Sequence, residues 1–95
     1  MIKTFRNAAT RKVFEGQKPN SLRGLDLELA LRRLDILRSV RSLEEIPPLK
    51  SIGLHQLKGD REGQWAMRIN GPWRLVFEWS EGAAHNVEIT DYHKG

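Results

Sequence analysis

The spacing of apolar residues changes once along this chain, at Pro47-Pro48. Before the prolines, apolar residues recur every three or four positions from about Leu25 to Val40, which is typical of an amphipathic helix. After them, apolar and polar residues alternate in four stretches: Ile52–Lys58, Gln64–Asn70, Trp73–Ser80 and His85–Asp91. Alternation predicts strands, and helices followed by closely linked strands predict an α+β fold with N-terminal helices packed on one face of an antiparallel β-sheet.

Three shorter segments complete the predicted fold. Ile2 to Phe5 alternates and is predicted as a short first strand, and Asn7 can cap a helix that runs through about Phe14. Ser42 to Glu45 predicts one more helical turn, which the prolines end. Because the chain has only 95 residues, we expect residues 1–95 to form a single domain.

The turn Asn70-Gly71-Pro72 carries the first indication of function. Asn-Gly between alternating stretches is a strong hairpin signal. A reversal centred on Gly71 places Arg68 directly opposite Arg74, and like charges across a strand pair repel each other. The pair is understandable if an anion lies between the two side chains.

Composition narrows the classes of function. The absence of cysteine excludes disulfides and thiolate metal sites, and no apolar run is long enough for a membrane span. We therefore expect a cytoplasmic protein that needs no cofactor. The net charge of +4 suits either a polyanionic partner or a plain solubilising surface. Residues 1–49 hold ten Lys/Arg against six Asp/Glu, so the excess lies in the helical half.

The polar face of the predicted sheet suits a phosphodiester. Its candidates are His55, Lys58, Arg68 and Arg74, followed by Asp91-Tyr92-His93. Lys58 shares this face with both arginines if it pairs near Gln64, whereas His55 has the opposite parity and needs a bulge. Guanidinium groups match phosphate oxygens, histidine carries protons near neutral pH, and the 2′-hydroxyl of RNA supplies a nucleophile.

Less specific interpretations remain open for the same residues. Arg68 can pair with Glu78 or Glu88 across the sheet, Tyr92 can cover the edge of the core, and Arg61 lies in a charged turn. No standard metal-binding spacing occurs, so no metal is expected. Several basic residues of the helical half suit either RNA phosphate or a solvated helix face: Lys12, Arg32, Arg33, Arg38 and Arg41.

Nearly the whole chain resembles the HigB-type killer proteins of the RelE/ParE toxin superfamily. The resemblance covers the opening Ile2–Phe5, the segments Leu54–Trp65 and Arg68–Phe77, and the ending Val87–His93. It implies two N-terminal helices on a twisted antiparallel sheet. It also implies a ribosome-dependent endoribonuclease that enters the A site of the 70S ribosome and cuts messenger RNA. A HigA-like helix-turn-helix antitoxin would neutralise the toxin, which alone is expected to be monomeric.

Carried onto this chain, the family's active residues fall on His55, Lys58, Arg68, Arg74, Asp91, Tyr92 and His93. The resemblance implies that Arg74 and Lys58 stabilise the phosphorane and that His93 or His55 moves protons. Asp91 would orient a histidine or act as base, and Tyr92 would position a base or the phosphate. Arg61 is expected to contact RNA.

Two other functions compete with this interpretation. A ParE-like inhibitor of DNA gyrase would share the fold but would need no proton-carrying group. A non-catalytic RNA-binding module, such as a degenerate toxin, would act on cells without any contribution from Arg74 or His93.

Overall fold

The computed structural model describes residues 1–92, and these form two helices and a four-stranded sheet. The elements are α1 (Ala8–Phe14), α2 (Leu27–Ser39), β1 (His55–Gln56), β2 (Gln64–Arg68), β3 (Arg74–Ser80) and β4 (Ala83–Thr90). All strand pairs are antiparallel, in the order β1-β2-β3-β4. The predicted α+β fold is confirmed.

Side-chain caps determine where both helices begin. The Asn7 side chain accepts a hydrogen bond from the backbone N–H of Thr10, and Asp26 accepts one from Leu29. α2 therefore starts two residues later than predicted, because Asp26 is its cap and Leu25 is buried outside the helix. The predicted turn after α2 is a 3₁₀ helix over Leu43–Glu45.

The predicted strand over Ile2 to Phe5 does not form a regular strand. Ile2 and Phe5 make isolated parallel bridges to Ala84 and Val87 of β4. Between the bridges Asn86 has a φ of 53°, and its N–H bonds to the Thr4 hydroxyl instead of to a carbonyl. The N-terminal segment therefore lines the β4 edge of the sheet without continuing its ladder.

The strand bounds also differ from prediction, and turns explain the differences. The strand expected over Ile52–Lys58 is only His55–Gln56, because Ile52 and Gly53 belong to a turn in which Gly53 has a φ of 57°. Asn70 and Trp73 lie outside β2 and β3 because they close the hairpin, with Trp73 N–H bonded to the Asn70 carbonyl at 2.8 Å. β4 begins at Ala83, two residues early.

The main core lies between the helices and one face of the sheet. Leu25, Leu34, Leu37, Met67 and Phe77 are its largest buried side chains. Trp65, Trp73 and Trp79 pack against this core and are half-buried. No helix among residues 1–92 is both long enough and apolar enough to cross a membrane.

The opposite face of the sheet is partly covered. Leu57, Ala66 and Val76 form a small second cluster, and Tyr92 packs against it. Tyr92, two residues after β4, thus covers part of this face.

Candidate active site

The register of the hairpin brings the two predicted arginines together. Arg68 of β2 is the direct partner of Arg74 on β3, and Arg74 in turn pairs with Thr90 on β4. The predicted register is confirmed. Arg68, Arg74 and Thr90 therefore form one row on the open face of the sheet, near the end where the hairpin turns.

His55, and not Lys58, shares the open face with these arginines. His55 pairs with Ala66, which lies two residues from Arg68 and so points to the same side of β2. Leu57 N–H bonds to the Gln64 carbonyl at 2.9 Å, so the strand aligns Leu57 with Gln64. Lys58 then leaves the ladder as the exposed residue before the 3₁₀ helix Gly59–Arg61. The condition that would place Lys58 on this face, pairing near Gln64, is therefore not met, and His55 needs no bulge because it pairs directly with Ala66.

His55 is held between a backbone carbonyl and a phenol. Its Nδ1 lies 2.9 Å from the Gly53 carbonyl oxygen, and its Nε2 lies 3.4 Å from the Tyr92 hydroxyl. Because a carbonyl can only accept, this arrangement favours the tautomer with the proton on Nδ1, and Nε2 can then accept from Tyr92. The ring is exposed, so a ligand on the open face can reach it.

Arg61 belongs to a small polar network beside Tyr92. Its Nη1 donates to the Gln64 side chain at 3.0 Å and lies 3.5 Å from a Glu88 carboxylate oxygen. The guanidinium carbon is 5.8 Å from the centroid of the Tyr92 ring, within the range of a cation–π contact. Glu88 also pairs with Arg6 at 3.5 Å. Arg61 thus supports Tyr92, and the pairing of Glu88 with Arg68 is not observed.

The two arginines of the hairpin make different contacts. Nη1 of Arg74 donates to the carbonyls of Gly71 and Trp73 at 2.8 and 2.9 Å, so this side chain braces its own turn. Arg68 extends over Gly53, where a Cβ would lie only 2.9 Å from Nε of Arg68. Neither arginine forms an ion pair with a carboxylate among residues 1–92, and the alternative pairing of Arg68 with Glu78 is likewise absent there.

The basic residues of α2 are not equivalent. Arg32 and Arg38 are exposed and pair with Glu28 and Asp35 of the same helix. Arg33 is 7% exposed, so its prediction as a surface residue is wrong. Its Nε donates to the Arg68 carbonyl at 2.7 Å and its Nη2 to the Ser51 carbonyl at 3.0 Å. Burial, with the neighbouring charge of Arg32, lowers the pKa of Arg33.

The remaining candidates are only partly described. Lys12 and Arg41 are exposed, and Asp91 is half-buried directly after β4. His93 lies outside the described residues, as do Lys94 and Gly95. Within residues 1–92, no three side chains of His, Cys, Asp or Glu are grouped closely enough to hold a metal ion.

Three functional contributors had no clear signal in the sequence. Gln64 and Glu88 hold Arg61 beside Tyr92, and Gly53 provides both the carbonyl that orients His55 and the space for Arg68. Gln64 and Glu88 are polar residues on the same face of the sheet as Ala66 and Val76, and this alternation could have indicated the first two. The role of Gly53 depends on a turn that the alternating pattern concealed.

Comparisons with known proteins show which family the chain belongs to. The sequence profile of the RelE-like toxin of the type II toxin–antitoxin system HigB matches residues 3–93. Endoribonuclease HigB of Proteus vulgaris is 33% identical over 95 residues, which cover 98% of this chain and 100% of that protein. Toxin HigB-1 of Vibrio cholerae is 28% identical, with 99% of each chain covered.

A solved structure supports the architecture independently. The crystal structure of a YafQ variant from E. coli superposes with a TM-score of 0.63 and covers 100% of both chains, at 12% identity. That similarity concerns the fold alone. The match of the profile to nearly the whole chain shows that this protein belongs to the HigB family of RelE-like toxins of type II toxin–antitoxin systems.

Proposed function

We propose that this toxin is a ribosome-dependent endoribonuclease that cuts messenger RNA in the ribosomal A site. The observation that carries the proposal is the His55–Tyr92 contact at 3.4 Å, on the same open face as Arg68 and Arg74. A proton carrier beside guanidinium groups that form no ion pair within residues 1–92 suits cleavage of a phosphodiester. The full-length relative named an endoribonuclease supports the same class of reaction.

The reaction needs no nucleophile from the protein. The 2′-hydroxyl of the RNA attacks the adjacent phosphorus while a base removes its proton. The P–O5′ bond then breaks, leaving a 2′,3′-cyclic phosphate, and an acid donates a proton to the departing 5′ oxygen. We assign the proton transfers to His93 or His55, with Asp91 as the group that orients a histidine or as the base. Tyr92 positions a base or the phosphate.

Arg74 and Lys58 are proposed to stabilise the charge that develops on the phosphorane, with Arg68 beside them. Nη1 of Arg74 is committed to its turn, whereas its Nε and Nη2 donate to no other group among residues 1–92 and can face a phosphate. Fixing one edge of a guanidinium in this way preorganises the other. Lys58 is exposed at the end of the segment that carries His55, so its side chain is accessible to RNA.

The toxin's partners follow from the same proposal. A protein of a toxin–antitoxin system has an antitoxin, and we propose a HigA-like helix-turn-helix protein in this role. The 70S ribosome and its messenger RNA are the proposed targets, so the site of action is the cytoplasm. The exposed Lys12, Arg38 and Arg41 are proposed to contact ribosomal RNA, with the toxin acting as a monomer.

The decisive experiment is cleavage of messenger RNA on programmed 70S ribosomes. The wild-type chain is compared with Arg74→Ala, His93→Ala and the control His85→Ala, whose imidazole faces the Ser80 carbonyl at 3.3 Å outside the site. Cuts within the A-site codon that persist in the control and disappear in the other two variants are expected. Free RNA, and a message with a 2′-deoxy nucleotide at the cut, should both remain intact.

The opposite result is equally clear. A folded wild-type protein that leaves the message intact would exclude the nuclease, and a gyrase supercoiling assay would then test the ParE-like function. Cleavage of the 2′-deoxy message would exclude attack by the 2′-hydroxyl while leaving the nuclease itself in place.

A further inference from the structure

A cationic cleft lies where α2, the turn at Ser51 and the β2–β3 hairpin meet. Its volume is about 460 Å³, and four arginines line it: Arg32, Arg33, Arg68 and Arg74. A cleft of this size falls within the range of small-ligand sites. None of the residues that line it within positions 1–92 is acidic.

The positive charge of the cleft is poorly compensated. Of the four arginines, only Arg32 forms an ion pair with a carboxylate among residues 1–92, and its partner Glu28 is as exposed as it is. Exposed pairs of this kind contribute little. Arg33 is more than nine-tenths buried and bonds only to two neutral carbonyls within the described chain. A buried charge without a counter-charge is costly, so the site favours an incoming anion.

The same contacts make the cleft rigid before any ligand enters. Arg33 joins α2 to β2 through the Arg68 carbonyl and to the preceding turn through Ser51. Asn70 joins the hairpin to the start of α2, since its side chain accepts from Asp26 N–H and donates to the Gly24 carbonyl, each at 2.8 Å. Preorganised donors lose little entropy on binding, and planar guanidinium groups match phosphate oxygens.

Arg68 and Arg74 link this cleft to the proposed active site. Both lie on the open face by register, in the row next to His55 and Ala66, and both also line the cleft. An RNA strand whose reacting phosphate lies by His55 therefore has its neighbouring phosphate within reach of the cleft. Basic grooves of this kind track the backbone of single strands.

We propose that the four-arginine cleft is a subsite for a second backbone phosphate of the messenger RNA, adjacent to the one that is cut. The proposal rests on the proposed function and assigns Arg32 and Arg33 to substrate binding, apart from proton transfer. Arg33 anchors the cleft from inside, and Arg32 closes its rim.

The test uses a matched pair of exposed single-charge variants. Arg32→Gln removes a charge from the cleft, whereas Arg11→Gln removes one from the surface of α1 outside it. Inorganic phosphate is titrated at constant ionic strength into each protein, with the guanidinium Nε–H signal of Arg33 followed by NMR. Thermal unfolding checks that both variants are folded.

A saturable shift of the Arg33 signal is expected in the wild type, with affinity about tenfold weaker in Arg32→Gln and unchanged in Arg11→Gln. In the ribosome assay, Arg32→Gln should raise the half-saturating concentration of programmed ribosomes about tenfold with a maximal rate within about twofold, as expected for loss of uniform binding. Arg11→Gln should match the wild type in both quantities.

Each other outcome overturns the inference in a distinct way. A response to phosphate that does not saturate, or that weakens equally in both variants, would mean non-specific charge attraction. Saturable phosphate binding with an unaltered ribosome assay would assign the cleft to a free anion instead of RNA, while the nuclease would stand. Wild-type protein that binds phosphate but cuts no message would remove the proposed function, and with it the assignment to RNA.

Discussion

The open sheet face and the arginine cleft differ in how they handle charge, although they share Arg68 and Arg74. On the open face, a Glu88 carboxylate oxygen lies 3.5 Å from both Arg61 and Arg6, and His55 and Tyr92 contact each other. In the cleft, four guanidiniums meet with no acidic lining residue. The first arrangement suits the movement of protons, and the second suits the holding of a fixed negative charge.

This difference arises from the elements that build each region. The open face is made by alternating residues of β1 to β4 and by Tyr92 after β4, so its groups stand in rows at strand spacing. The cleft forms where a helix, a turn and a hairpin converge, and its centre is a buried side chain bonded to backbone. Substitutions on the open face should therefore change mainly the rate of cleavage, and substitutions in the cleft should change mainly the binding of phosphate.

The largest difference between the effect on cleavage rate and the effect on phosphate binding is expected for His55→Ala. If His55 transfers a proton, the maximal rate of cleavage should fall by about 10² to 10⁴-fold. Binding of inorganic phosphate in the cleft should not change, since His55 is not among the residues that line it. Single-turnover cleavage and the Arg33 NMR titration measure the two quantities. A rate near that of the wild type would assign proton transfer to His93 alone.

Arg74→Ala should affect both regions, because Arg74 belongs to both. Removing a preorganised cation at the phosphorane is expected to lower the rate by about 10² to 10³-fold, and phosphate affinity should fall with it. The bonds of Arg74 to Gly71 and Trp73 offer another explanation for lost activity, namely a damaged turn. Arg74→Lys keeps the charge without the fork, and thermal unfolding of both variants distinguishes the explanations. A large loss of stability with unaltered phosphate binding would make Arg74 a brace only.

The sequence predicted the features that depend on neighbouring residues and missed those that depend on contacts between distant segments. The fold, the facing pair Arg68 and Arg74, and the cap at Asn7 come from local periodicity, turn chemistry and capping preference, which act within a few residues. The sequence alone does not assign His55 to a face, because β1 is only two residues long and the parity of His55 depends on its pairing with β2 instead of on its own alternation.

Arg33 shows what the helical spacing of apolar residues cannot predict. It lies outside the apolar stripe of α2 and was predicted to be exposed, yet it is buried against two carbonyls from distant segments. A helix pattern records only which positions are apolar, and it cannot reveal that loop carbonyls will satisfy a guanidinium. The cleft was thus invisible in the sequence, although each of its arginines could be named.

Gly53→Ala is expected to disturb the open face and the cleft moderately and together. Gly53 has a φ of 57°, and an added Cβ would lie 2.9 Å from Nε of Arg68, so the arginine must move. We expect a loss of about 1 to 3 kcal/mol in the free energy of unfolding. We also expect roughly tenfold slower cleavage, which corresponds to a rise of about 1.4 kcal/mol in the activation free energy when Arg68 is displaced.

Gly24→Ala provides the control for Gly53→Ala. Gly24 has a φ of 75° and nothing within 4 Å of its added Cβ, so it shares the backbone strain without the clash. Chemical denaturation and the ribosome assay should show similar destabilisation in both variants but slower cleavage only in Gly53→Ala. Equal activities would mean that the position of Arg68 is not critical to the reaction.

The smallest effect is expected for Tyr92→Phe, which removes one hydroxyl and keeps the ring on the second cluster. The Tyr92–His55 contact is long at 3.4 Å, and a hydrogen bond contributes about 0.5 to 1.5 kcal/mol, so cleavage should slow by about two- to tenfold. Combining Tyr92→Phe with His55→Ala tests the cause. If the hydroxyl acts by orienting the imidazole, it has nothing left to orient, and the double variant should be no slower than His55→Ala. Additive losses would instead mean that Tyr92 contacts the RNA itself, which would move its role from the proton-carrying group to the substrate.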